Sequence, residues 1–128
     1  MRRHKAQALV EFAVSVSVFM LLVLGTFDLA RAYMAYTVVS NAAREASRYG
    51  AAHIGESGWT AAALQAGSTM AVGLDASALN LNVTTQQLDA LTYITVSGTY
   101  RFHSVIPFVG ALMGDPITIQ VNTSAPVG

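Results

Sequence analysis

From Gln7 to Phe27 the chain is apolar at almost every position, interrupted by Gln7 itself, a few hydroxyl side chains and one carboxylate, Glu11. A helix rises about 1.5 Å per residue and a bilayer's hydrocarbon core is about 30 Å thick, so roughly 20 such residues cross it. Phe12 to Phe27 alone is short of that length, and the span is complete only if Glu11 and the residues before it also enter the membrane. After Gly25 the pattern changes. No proline or glycine stands between Asp28 and Gly50, alanine is abundant, and Leu29, Ala32, Tyr36, Val39, Ala43, Ala46 and Gly50 recur at spacings of three and four. That spacing predicts one helix of about 45 residues, lipid-embedded in its first half and amphipathic in its second, closed or broken at Gly50. Asp28 with Arg31, and Glu45 with Arg48, are placed to pair on its surface for a few tenths of a kcal/mol each.

Glu56-Ser57-Gly58 reads as a turn with Ser57 as a cap, and Trp59 to Leu74 as a second helix packing through Ala62, Ala63, Ala66, Met70 and Leu74. Gly67 and Gly73 weaken that helix. The period then switches to two. Leu79–Thr84, Thr92–Phe102 and Ile117–Val121 alternate apolar and polar residues as half-buried strands do, with Gly98 a candidate bulge. The expected fold is α+β and membrane-anchored: a long N-terminal helix, a second shorter helix and a small antiparallel sheet of about three strands. It divides into a basic leader (1–6), a transmembrane segment (7–27), an extension of the long helix (28–54) and a small C-terminal α+β domain (55–128). Between the last two strands, Val105 to Gly114 is an apolar loop. It is either a crossover folded back onto the sheet or a docking patch for a neighbouring subunit or the membrane surface, with Ile106, Pro107, Phe108 and Leu112 as its contacts.

Composition narrows the function. The chain is 53% hydrophobic and 11% charged with no formal net charge, and no basic patch lies beyond the N-terminus, so nucleic acid is not an expected partner. There is no cysteine, which excludes disulfides, thiol catalysis and cysteine-based metal sites. Acidic residues are scattered singly, and His4, His53 and His103 lack companions at ligand spacing. No G-x-S-x-G elbow or phosphate-binding glycine loop is present. No catalytic residue, metal or cofactor is expected. The basic head Arg2-Arg3-His4-Lys5 should remain cytoplasmic, with the rest of the chain exported. A cleaved secretory signal ending at Ala30-Arg31-Ala32 is the alternative, opposed by the length of the run, by Glu11 and by the charges at Asp28 and Arg31.

Glu11 is the anomaly. A carboxylate at the start of a membrane segment costs a few kcal/mol unless it is paired or lies among headgroups. Either it sits in the headgroup zone without a role, or it pairs with a positive charge created by processing.

The stretches Ala6-Gln7-Ala8-Leu9-Val10-Glu11-Phe12, Asp28-Leu29-Ala30-Arg31-Ala32-Tyr33 and Asn41-Ala42-Ala43-Arg44-Glu45-Ala46-Ser47-Arg48-Tyr49, with the apolar run between them, resemble the TadE-like proteins. These are minor pilins or pseudopilins of the tight-adherence (Tad) branch of type IV pilus systems. The likeness covers roughly the first 50 residues. It implies a precursor cut on the cytoplasmic side by a prepilin peptidase, leaving glutamate at the fifth mature position, which places the cut between Ala6 and Gln7. The family's usual glycine before the cut is Ala6 here. The resemblance also implies that Glu11, followed by Phe12, acts in assembly by attracting a neighbour's new amino terminus. The implied partners are other pilin and pseudopilin subunits, the prepilin peptidase, the inner-membrane Tad assembly platform and the lipid bilayer. The implied location is the inner (cytoplasmic) membrane, single-pass, with the C-terminal domain extracytoplasmic and open to incorporation in an extracellular pilus. The expected function is thus a structural subunit for pilus assembly and surface adherence. A membrane-tethered binding module that never polymerises is the alternative from another class.

Overall fold

The computed structural model describes residues 2–128, with the side chains of residues 2–4 and of Phe108 outside the description. Helix α1 (Arg2–His53) runs unbroken for 52 residues, about 80 Å. Its first half stands clear of the rest of the protein. Its second half forms one layer of a small two-layer domain together with helix α2 (Trp59–Met70). The other layer is an antiparallel sheet of strands β1 (Leu79–Leu88), β2 (Leu91–Phe102) and β3 (Ile117–Pro126), ordered β1-β2-β3. A short helix, α3 (Pro107–Met113), lies in the connection from β2 to β3.

The seam between α1 and the sheet follows from side-chain size. Asp28, Ala35, Val39, Ala43, Ala46 and Gly50 are buried at spacings of three, four or seven, the stripe by which one helix face meets a neighbour. The sheet answers with Ile94, Val96, Phe102 and Val121, and the fully buried core joins Val39, Ala43 and Ala46 to Ile94 and Val96. Two members of the expected stripe are displaced. Leu29 and Tyr36 point outward, because the helix is rotated so that Asp28 and Ala35 face the domain.

Three glycines are explained by close approach. A Cβ on Gly67 would lie 2.7 Å from the Ala42 carbonyl oxygen and 2.9 Å from the Ala46 Cβ, so the α1–α2 crossing requires its absence. The glycine expected to weaken α2 therefore permits its packing. At Gly98 a Cβ would meet Val39 Cγ1 at 2.8 Å. Gly98 is not a bulge: it pairs in regular register with Leu81 on one side and Val121 on the other. Gly50 neither ends nor breaks α1, which continues to His53; its bare backbone lies against Ile94 and the indole of Trp59. The cap of α2 is Gly58, in the left-handed region at φ 77°, rather than Ser57. The helix also stops at Met70, four residues before the expected end, and Asp75 accepts bonds from the Ser77 amide and hydroxyl in the turn before β1.

Strand alternation sorts the sheet into two faces. Leu79, Leu81 and Val83 in β1 and the even positions of β2 from Ile94 to Phe102 face the helices. The opposite face carries uncharged polar cross-strand rows, Asn82–Ser97–Asn122 and Thr84–Thr95–Ser124. β1 and β2 are joined by a two-residue turn at Asp89-Ala90, both with positive φ.

Candidate assembly helix and membrane-proximal site

Residues 7–27 form a nearly bare apolar rod. The most hydrophobic window of α1 is 0% buried inside the chain, with Leu9, Phe12, Phe19, Leu22 and Phe27 among its exposed large side chains. The helix is long and apolar enough to cross a membrane, and it fits a single-pass anchor. Two of its hydroxyls are satisfied internally: Ser17 donates to the Ala13 carbonyl at 2.8 Å and Thr26 to the Leu22 carbonyl at 2.9 Å. This is the local solution a lipid environment demands. Ala6, Gln7, Glu11 and Phe12 are all exposed on this rod, with Gln7 and Glu11 one turn apart. The ion pairs found among the described residues do not include Glu11. Its carboxylate stands on the apolar surface, with no cation paired to it among the described residues.

A second cluster lies where the rod enters the domain. Asp28, 6% exposed, turns its carboxylate toward the loop before α3. It accepts the Ser104 hydroxyl at 2.5 Å and the backbone amides of Val105 at 3.1 Å and Ile106 at 3.2 Å. Arg31 approaches from one turn along the helix at 3.3 Å, its guanidinium 5.3 Å above the ring of Phe102. Ser104 is the largest cause holding the Asp28 carboxyl below its ordinary pKa. Partial desolvation opposes it, and the Ile106 and Val105 amides and Arg31 add to the lowering.

The sequence paired Asp28 with Arg31 as an ordinary surface couple. The pair forms, but the main partners of Asp28 are 76 to 78 residues away. The available signal was its place in the stripe Asp28–Ala32–Ala35–Val39, which puts a carboxylate on a buried face. Glu45 and Arg48 approach at 4.0 Å, largely in solvent. His53 stacks on Tyr49 with ring centres 4.1 Å apart, and His103 lies 3.3 Å from Asp115.

The expected docking patch divides. Ile106 is buried, 7% exposed, because its amide is drawn onto Asp28 and its side chain follows into the domain, so it leaves the patch. Pro107 is exposed at the first turn of α3, and Leu112 is 76% exposed. The side chain of Phe108 falls outside the described residues. Val105 and Met113, each 69% exposed, take the outward places instead.

Residues 6–48 match the family model of TadE-like proteins. This stretch of the long helix is similar to TadE-like proteins. The match starts at Ala6, takes in Glu11 and Asp28, and ends at Arg48, so it covers about a third of the chain and points to a Tad-pilus-related protein. The matched segment holds Glu11, Asp28, Arg31 and the buried stripe from Ala35 to Ala46, whereas α2 and the sheet lie beyond it. No curated protein and no solved structure matches the chain.

Proposed function

We propose that this TadE-like chain is a pilin-like structural subunit of a Tad-type pilus, required for its assembly and for surface adherence. In this reading residues 1–6 are a cytoplasmic leader, and residues 7–27 cross the inner membrane. A prepilin peptidase cuts between Ala6 and Gln7, and the C-terminal domain is extracytoplasmic. The observation that carries the reading is the bare apolar rod with one carboxylate, Glu11, that has no ion-pair partner among the described residues, inside the TadE-like segment. A rod this apolar needs lipid or other helices around it. A carboxylate on it costs a few kcal/mol until a cation arrives.

Cleavage supplies that cation. It frees an ammonium at Gln7, and in a bundle of such helices the ammonium of one subunit is available to the Glu11 of the next. Removing one partner of an ion pair in a water-poor setting is far more costly than removing an exposed one, so the pair fixes the axial step between subunits. The lipid bilayer, other pilin-like subunits, the peptidase and the inner-membrane assembly platform are the partners this requires. Mass spectrometry of the N-terminal peptide of the chain isolated from membranes tests the processing step. Gln7 as first residue supports the subunit, Met1 leaves a plain membrane-tethered module, and Tyr33 makes it a secreted domain.

A further inference from the structure

We propose that α3 and its flanks form a second membrane contact, a foot that seats the C-terminal domain on the outer leaflet beside the spanning helix. The inference rests on residues 7–27 being the anchor and adds a surface to it. Asp28 is the first residue after that span. Its carboxylate holds the Ser104 hydroxyl and the Val105 and Ile106 amides, so the entry to α3 is fastened within hydrogen-bond distance of the point where the chain leaves the bilayer. Beyond the fastening, Val109, Met113 and Ile117 line an apolar groove of about 330 Å³ together with Gly25 and Leu29. Gly25 lies within the span, so α3 sits at the height of the last membrane turn.

Among the described residues nothing covers the outward side chains there. Val105 and Met113 are 69% exposed and Leu112 is 76% exposed, and no ionisable residue occurs from Ser104 to Gly114. One turn further from the span the lining turns polar and charged: Arg31, Asp75, Arg101 and His103 line an open cleft of about 470 Å³. Apolar side chains next to the span and polar and charged ones a turn above it follow the order of a leaflet, acyl chains first and headgroups next. The apolar surface is continuous with that of the spanning helix, so the lipid already surrounding the helix is the occupant that fits. Docked this way, the domain would be held at a fixed height and azimuth against the membrane before any subunit is added.

The chain has no native cysteine, so single cysteines can be introduced at Leu112, at Leu22 within the span and at Gln87 near the distant hairpin tip. Each full-length variant is labelled with an environment-sensitive fluorophore and placed, one chain per disc, in nanodiscs of phosphatidylcholine and phosphatidylglycerol. The discs carry nitroxide lipids with the spin label either just below the headgroup or near the chain end. The expected result is several-fold stronger quenching of the Leu112 label than of the Gln87 label by the shallow nitroxide, with Leu22 quenched by the deep one. Leu112 as unquenched as Gln87 while Leu22 is quenched would overturn the foot and leave the anchor standing. Loss of quenching at Leu22 would overturn the anchor and the foot with it. Shielding of Leu112 only in assembled filaments would assign the surface to a second copy of the chain and likewise overturn the proposal.

Discussion

Asp28 and Ser104 lie 76 residues apart in the chain and meet side chain to side chain, the hydroxyl donating to the carboxylate at 2.5 Å. Their contact ties the start of the long helix's domain half to the loop that leads into α3. Because this fastening lowers the Asp28 pKa, it is at full strength above the free carboxyl's value of about 3.9 and is lost as pH falls through the lower, fastened value. The Val105 and Ile106 amide resonances of the chain in micelles are therefore expected to hold steady from neutral pH down to about pH 4 and to shift together below it. In Asp28→Asn the same resonances should show no such acid transition. A transition that persists in Asp28→Asn would mean that another group controls the loop.

Gly67 reverses the usual helix rule. Alanine in place of glycine inside a helix ordinarily stabilises by about 1 kcal/mol. Here the added Cβ would collide with the Ala42 carbonyl oxygen, so Gly67→Ala is expected to destabilise the domain by about 1–3 kcal/mol. Gly25→Ala, where a Cβ would meet nothing within 4 Å, should leave domain stability unchanged. The single tryptophan, Trp59, lies between α1 and α2 against Gly50 and reports both unfolding transitions by its fluorescence.

The hairpin turn offers the opposite sign. Ala90 sits at φ 67°, in the left-handed region that an L side chain with a Cβ enters at a cost. Ala90→Gly relieves that strain and gives back part of it as unfolded-chain entropy, for a net stabilisation of about 0.5–1 kcal/mol. Chemical unfolding followed through Trp59 measures it. A destabilised Ala90→Gly variant would contradict the two-residue turn.

The parts of this structure that follow period and composition were readable in the chain. The apolar run to Phe27, the three-and-four stripe beyond it and the alternation in Thr92–Phe102 each state their own element, because each element buries its own side chains at its own period. What could not be read depends on partners distant in sequence. Gly67 and Gly98 look like weak points until Ala42 and Val39 are placed against them. Leu29 and Tyr36 fit the stripe as well as Asp28 and Ala35 do on spacing alone. A buried carboxylate becomes the better choice only once Ser104 and two backbone amides are there to receive it. Ile106 appeared to belong to an apolar patch for the same reason: its local sequence is apolar, and the bond that turns it inward comes from α1. Glu11 was legible as an anomaly because it violates the pattern of the run in which it stands.

Glu11 gives the most direct test. Cells carrying Glu11→Ala, Glu11→Gln or the unaltered chain are compared for the amount of this subunit in sheared pili, relative to the amount in the membrane. If the neighbour's Gln7 ammonium needs a negative charge at this position, both variants will remain in the membrane at normal levels and be depleted from the pili, the neutral isostere included. Incorporation of both at the unaltered level would contradict the account.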